Sequence, residues 1–304
     1  MTALPSHVTI REVCLRDGLQ IEDPIPLAAK LELLEAVLAT GVREIEATAF
    51  VSPSKVPALA DAAALAAELP RLRDAHGVEF SALVAGPGGA GRAVDAGMGS
   101  IEYVVSAADG HSQANVGRST SDSTHMIADI ARIAHENDAT IEVIIATAWD
   151  CPFDGPTDPL RVLDIASAAV DIGVDRIAIA DTIGTTTPFR VTGLVELLRP
   201  LIGDLPLGAH FHNTRGAGLA SAYAAVTAGV TRLDASVGGL GGCPFAPGAS
   251  GNIATEDLVY LLRDSGIGVD VDLQAAIHAA SVARDVVGHD LPSALLRAGD
   301  RILG

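Results

Sequence analysis

Leu205-Pro206-Leu207-Gly208-Ala209-His210-Phe211-His212-Asn213 decides how this chain is read. Its first half reads as the buried body of a strand, which places the polar residues at the strand's C-terminal end. Side chains two apart on a strand share a face, so His210 and His212 leave it side by side. Outward from here the same unit recurs. Short β-branched runs stand near residues 7–14, 43–49, 79–84, 100–106, 140–147, 174–180, 206–212 and 231–237. Alanine- and leucine-rich helical patterns fill residues 25–40, 54–69, 87–97, 121–137, 158–172, 187–201, 215–228 and 254–264. Strand follows strand at about 30 residues, the size of one βα unit. Eight such units without a compositional break predict an α/β fold, the (β/α)8 TIM barrel, over about residues 7–265. Two doubly wound halves are the competing arrangement, but no linker divides the chain. Residues 1–304 are read as one domain, with two further helices, 269–286 and 292–303, in a C-terminal extension of about 268–304.

Composition narrows the function classes. Hydrophobic residues make up 49% of the 304, enough for a deep core. No apolar run approaches the ~20 residues that span a bilayer, which argues against a membrane protein. The first dozen residues lack a basic segment followed by an apolar one, so no secretory signal is expected. The cysteines Cys14, Cys151 and Cys243 show no zinc-type spacing and cannot all pair, which suits a reducing cytoplasm. A net charge of −18 with no basic stripe repels phosphodiester backbones, so nucleic acid is not an expected partner.

Barrel enzymes carry their chemistry on the loops after the strands. In that frame Arg16-Asp17 follows strand one, Glu46 ends strand two, Asp181-Thr182 follows strand six and the histidines end strand seven. The glycine-rich loop 238–251 and Asn252 follow strand eight. Closure of strand eight on strand one makes Asp17 and Asn252 neighbours. Asp17, His210, His212 and Asn252 offer two imidazoles, a carboxylate and an amide oxygen. That thiolate-free set suits a divalent cation, Mg²⁺ or Mn²⁺ ahead of Zn²⁺. The plainer alternative makes Asp17 a turn residue and Asn252 a helix cap.

Arg16 either holds a developing oxyanion or pairs with Asp17. Glu46 either orients a base or substrate hydroxyl, or forms a buried ion pair with Arg16. Asp181 is an active-site carboxylate or the cap of the next helix. Gln20, Thr48 and Thr182 are candidate substrate contacts. The glycine loop is free to take φ > 0 and approach a ligand, and its Cys243 is either a proton donor on a closing lid or a buried inert thiol. The loop 107–118 is polar, and its His111, Asn115 and Arg118 either meet the distal end of a substrate or are solvated.

Six motifs together resemble the 3-hydroxy-3-methylglutaryl-CoA lyase family of the DRE-TIM metallolyases, over nearly the whole chain. They are Arg16-Asp-Gly-Leu-Gln20, Glu46-Ala-Thr-Ala-Phe-Val-Ser-Pro53, Cys151-Pro-Phe-Asp-Gly155, Asp181-Thr-Ile-Gly184, His210-Phe-His212 and Gly238-Gly-Leu-Gly-Gly-Cys-Pro through Ala249-Ser-Gly-Asn252-Ile-Ala-Thr-Glu-Asp257. The resemblance implies that Asp17, His210, His212 and Asn252 hold the cation, that Arg16 stabilises an enolate, and that Cys243 is a catalytic lid cysteine. It carries over Glu46 and Asp181 as active-site carboxylates, and an acyl-CoA as the substrate. The implied reaction is cleavage of 3-hydroxy-3-methylglutaryl-CoA or a similar thioester to acetyl-CoA and a keto acid such as acetoacetate. Cys14-Leu15 stands where the family commonly has Gly-Pro. Asn213-Thr214-Arg215 replaces Asp-Thr-Tyr, and Val84-Ala85-Gly86 replaces Thr-Pro-Asn. These departures line the mouth, which leaves the acyl group open and makes Arg215 a candidate partner for an extra carboxylate. The rival activities are a lyase for another 3-hydroxyacyl-CoA and a condensing acyltransferase of the isopropylmalate synthase type; a barrel without catalysis is the non-enzyme rival. Homodimer and monomer both remain open.

Overall fold

The computed structural model describes residues 4–242 and 251–301. Eight parallel strands close in chain order into a barrel: β1 (Thr9–Glu12), β2 (Glu44–Phe50), β3 (Glu79–Val84), β4 (Ser100–Ser106), β5 (Thr140–Ala146), β6 (Arg176–Asp181), β7 (Leu207–Phe211) and β8 (Arg232–Ala235). The predicted TIM barrel is therefore observed. Closure runs from Thr9 opposite Arg232 to Glu12 opposite Ala235, and Asp234 of β8 stands opposite His210 of β7.

Helices α1 (Leu27–Leu38), α2 (Ala62–His76), α3 (Pro87–Asp95), α4 (Asp109–Val116), α5 (Thr120–His135), α6 (Pro159–Ile172), α7 (Pro188–Ile202), α8 (Gly218–Thr227) and α9 (Thr255–Asp264) surround the strands. The extension folds as α10 (Leu273–Val287), which packs on α1, and the short α11 (Ala294–Ala298). Strand residues that face the helices are aliphatic and buried, among them Ile10, Ile101, Ile141, Val143, Ile177 and Leu233. Burial at both faces explains why the strands read as runs rather than as a polar–apolar alternation.

The other face of the strands fills the barrel with charge. Arg11 donates from Nε and Nη2 to Asp234 (2.8 and 2.7 Å) and from Nη1 to Glu142 (2.6 Å), and Glu102 lies 2.5 Å from the same Nη1. Arg232 donates to both oxygens of Glu142 and to Glu44. Charges so buried survive only when paired and hydrogen-bonded, and their value lies in fixing geometry rather than in net stability.

Three boundaries differ from the sequence reading. The helix expected at 54–69 lies at Ala62–His76: residues 57–59 form a single tight turn, and the helix runs on through Pro70 to an αL cap at Gly77 (φ 63°). Pro70 is compatible because its neighbours' packing against the core, at Leu65, Leu69 and Leu72, outweighs one lost backbone bond. The polar segment expected as a loop at 107–118 contains α4, closed by Gly117 in αL conformation (φ 71°). The second C-terminal helix is shorter than expected, stopped at Gly299. Among the described residues no helix is long and apolar enough to cross a membrane.

Replacing Arg11 by methionine keeps the volume but leaves Glu102, Glu142 and Asp234 short of their cation. Denaturant unfolding of R11M is expected to show a loss of about 3–5 kcal/mol. A loss below about 1 kcal/mol, the range of an exposed ion pair, contradicts this role for the interior charges.

Candidate active site

The C-terminal ends of β1, β7 and β8 converge on one point. After β1 the chain makes a single wide turn, Cys14–Gly18, in which the N–H groups of Arg16, Asp17 and Gly18 all point to the carbonyl of Val13. The turn lays Arg16 and Asp17 over the mouth directly after a strand four residues long. His210 lies on β7 and His212 just beyond it, with ring centroids 5.0 Å apart. The segment around Asn252 is threaded between β7 and β8. Asn213 N donates to Gly251 O, Ile253 N to Phe211 O and Ser236 N to Ile253 O.

These supports bring the predicted donors together. Asp17 Oδ2 lies 4.0 Å from His210 Nε2 and 3.6 Å from His212 Nε2, and one donor atom of each of the three falls within 4.8 Å of the others. Asn252 Nδ2 donates to Asp17 Oδ2 (2.8 Å) and to Leu240 O (3.1 Å). Its amide oxygen is buried and accepts no hydrogen bond among the described residues. An orphaned buried oxygen beside two imidazole nitrogens and a carboxylate fits a divalent cation of the Mg²⁺ or Mn²⁺ type, which takes such mixed O/N sets. His210 is oriented for that use: Nδ1 lies 3.1 Å from Asp234 Oδ2, so Nδ1 carries the hydrogen and Nε2 presents its lone pair.

Burial alone would raise the Asp17 carboxyl, but Arg16 and the two histidines outweigh it and hold Asp17 well below the usual carboxylate range. Burial likewise raises Glu46, with Glu102 adding to it against the pull of Arg16, and leaves this carboxyl well above its usual range. Arg16 bridges the two. Its Nη1 is 2.5 Å from Asp17 Oδ1 and 3.3 Å from Gln20 Oε1, and its Nε is 2.5 Å from Glu46. Both sequence alternatives for Arg16, ion pairing and an outward donor, are therefore compatible with one side chain. Nε and Nη1 are committed, and Nη2 has no partner among the described residues.

The remaining candidates divide. A bulge in β2 between Glu46 and Thr48 re-aims the strand end, and the buried hydroxyl of Thr48 has no hydrogen-bond partner among the described residues. Asp181 accepts from Thr185 N (3.0 Å) and Thr186 N (2.9 Å), which staples its own loop, and burial raises its carboxyl against those bonds. Thr182 Oγ1 accepts from Thr147 N, and Thr147 is held in the left-handed region (φ 52°), which is costly for a β-branched residue. Arg215 donates to the carbonyls of Ile183 (2.9 Å) and Gly184 (3.2 Å), so its Nη1 latches the loop after β6. His111 is buried in α4 with Nδ1 at 3.0 Å from Ser106, and burial pulls its pKa down to about 4. Arg118 donates to Ala85 O. Cys243 lies outside the described residues.

Sequence reasoning missed Asp234, Arg11, Glu12 and Glu256. Arg11, Glu12 and Asp234 are charged residues between apolar neighbours, Ile10-Arg11-Glu12-Val13 and Leu233-Asp234-Ala235, and that interruption was the available signal; Glu256, between Thr255 and Asp257, gave none. Glu256 receives Gly238 N on both oxygens (3.1 Å each), at the turn that opens the glycine loop, and burial pushes its carboxyl up to about 7. A carboxyl raised by folding contributes stability that is full below its unfolded value near 4.5 and is lost as pH rises through about 7. The E256Q variant, which does not titrate, is expected to be most destabilised relative to the parent near pH 4.5, with the gap narrowing up to pH 7. A gap that widens over that interval, read from urea unfolding in metal-free buffer, contradicts the raised carboxyl.

Residues 7–283 match the family model described as HMGL-like. Over 302 residues the chain is 40% identical to the (R)-citramalyl-CoA lyase of Chloroflexus aurantiacus, covering 96% of this chain and 95% of that one. It is 36% identical to a hydroxymethylglutaryl-CoA lyase of Bacillus subtilis, covering 95% and 96%. The solved structure of an HMG-CoA lyase from Acinetobacter baumannii, in complex with coenzyme A and 3-methylmalate, superposes with a TM-score of 0.92 at 37% identity, covering 98% and 97%. A barrel closed in chain order, a metal-competent cluster at its mouth and matches over nearly the full length lead to one conclusion: this chain belongs to the HMGL-like family.

Proposed function

We propose that this protein is a divalent-metal-dependent carbon–carbon lyase that cleaves a branched 3-hydroxyacyl-CoA thioester, 3-hydroxy-3-methylglutaryl-CoA or a near analogue, to acetyl-CoA and a keto acid. The observation that carries it is the juxtaposition of the Asp17–His210–His212–Asn252 cluster with Arg16, a cation site beside a preplaced guanidinium. A cation held by those four residues would supply the Lewis acid that acidifies and orients the substrate's tertiary hydroxyl. The hydroxyl proton passes to a basic group beside it. As the O–H electrons form the keto group, the C–C bond breaks and its electron pair becomes the thioester enolate. Arg16 Nη2, held by the anchoring of Nε and Nη1, offers a charge-assisted hydrogen bond to that enolate oxygen. Cys243, or water, returns one proton to carbon and completes acetyl-CoA.

A second reading of the acyl group is citramalyl-CoA, favoured by the 40% identity to the Chloroflexus enzyme. Both thioesters carry a tertiary carbinol, a methyl group and a carboxylate, and differ by one methylene between carbinol and carboxylate. A pocket discriminates a methylene by only about 1–3 kcal/mol, so the two substrates are compared directly. Mg²⁺ or Mn²⁺ is the proposed cation, with Zn²⁺ less suited to the oxygen-bearing set. The compartment is proposed to be the reducing cytoplasm, consistent with unpaired Cys14 and Cys151.

Release of acetyl-CoA from the two thioesters, with and without EDTA, tests the reading. Activity on at least one of them is expected, abolished by chelation and restored by Mn²⁺ or Mg²⁺; chelator-insensitive activity, or none on any branched 3-hydroxyacyl-CoA, contradicts it. The R16Q variant is expected to lose about 10²–10³ in kcat while still binding Mn²⁺, the usual cost of one oxyanion donor. Normal turnover by R16Q would remove Arg16 from the chemistry.

A further inference from the structure

Glu12 ends β1 and is almost wholly buried. Its Oε1 accepts from Cys14 N and from Val237 N, each at 3.0 Å, and its Oε2 accepts from Thr255 Oγ1 at 2.6 Å. The three partners lie on three segments. Cys14 opens the turn that presents Arg16 and Asp17. Val237 begins the turn that leads into the glycine loop. Thr255 lies three residues beyond Asn252, on the other side of that loop. We propose that Glu12 is a positioning residue, a single buried carboxylate that sets the Arg16–Asp17 turn in register with Asn252 and with the root of the glycine loop.

The backbone alone leaves this join incomplete. Val13 N reaches Ala235 O, and Ser236 and Thr255 exchange a bond through Thr255 N, but these ties link the segments only in pairs. Glu12 touches all of them from one side chain. Two backbone N–H groups and a hydroxyl converge on it, which an apolar side chain of the same size could not satisfy. Burial raises its carboxyl to about 7, yet the neutral acid makes the same three contacts, with its own O–H donated to Thr255 Oγ1. Geometry rather than charge is therefore what Glu12 supplies. Glutamine meets the same demand: its carbonyl accepts both N–H groups and its amide donates to Thr255. Alanine meets none of it.

The inference rests on the proposed metal site for one readout only. Hydrogen exchange of the metal-free full-length chain reads it without any cation. In E12A the amides of residues 14–18, 237–240 and 252–255 are expected to exchange at least about tenfold faster together, while β4 and β5 keep their rates. In E12Q the same amides are expected to stay within about threefold of the parent. T255V, on the far side of the barrel seam, is expected to accelerate exchange at residues 14–18, and T255S is not. This pair decides the matter if E12A does not fold. An E12A response confined to one segment, E12Q as fast as E12A, or T255V that leaves residues 14–18 unchanged overturns the proposal. Mn²⁺ titration gives the second readout: E12A is expected to lose about 10- to 100-fold in affinity, as when outer supports of metal ligands are removed, and E12Q is not. Unchanged Mn²⁺ affinity in E12A also overturns the proposal. A parent chain that binds no Mn²⁺ strikes the metal-dependent reading instead, and leaves the exchange result to judge Glu12.

Discussion

The pairing of β1 with β8 is the constraint on which the site depends. Asp17 and Asn252 stand 235 residues apart, and they meet at 2.8 Å only because the first strand closes the barrel against the last. Everything chemical in the mouth inherits that closure. The two histidines come from β7, the strand next to β8, and Glu46 comes from β2, the strand next to β1. Four consecutive strands around the seam therefore supply the candidate cation donors, the guanidinium and its carboxylate partner, while Asp181 and Thr182 enter from β6. A local change in the seam acts on all of them at once, whereas a change in β3 meets directly only the Glu46 end of the site, across the ladder from Ser81.

Those interior charges give the seam its rigidity. From His210 the path runs through Asp234 to Arg11, and from Arg11 to Glu142 and Glu102, without leaving the barrel axis. A hydrocarbon filling would be at least as stable, since buried ion pairs seldom repay their desolvation. What a charged filling adds is direction. The Arg11 fork admits one orientation of Asp234, and Asp234 admits one tautomer and one ring orientation of His210. The stability of the barrel interior and the chemistry of the mouth are thus linked through one side chain on β1.

Much of this was legible in the residues. The βα spacing predicted the barrel, and His210-Phe-His212, Arg16-Asp17 and Asn252 pointed to a common mouth because barrel topology leaves them nowhere else to converge. The misses share a physical cause. Pro70 ends a helix by local propensity, but the buried leucines of α2 carry the helix past it, a tertiary effect that no local rule contains. The polar segment of α4 lacks an apolar period, and its helix is secured by contacts such as that of His111 with Ser106. Arg11, Asp234 and Glu12 were passed over because a charge in a strand reads as solvent-facing unless the barrel interior is known to be ionic. Arg215, a candidate partner for an extra substrate carboxylate, also has its Nη1 engaged by loop carbonyls, a contact set by the conformation of residues 183–184 that charge pattern does not show.

The most direct test of the account is anomalous diffraction from crystals of the full chain equilibrated with Mn²⁺. One strong peak is expected between Asp17, His210, His212 and Asn252, within bonding distance of a carboxylate oxygen, both Nε2 atoms and the amide oxygen of Asn252. Anomalous density elsewhere, or none among these four side chains at saturating Mn²⁺, would contradict it.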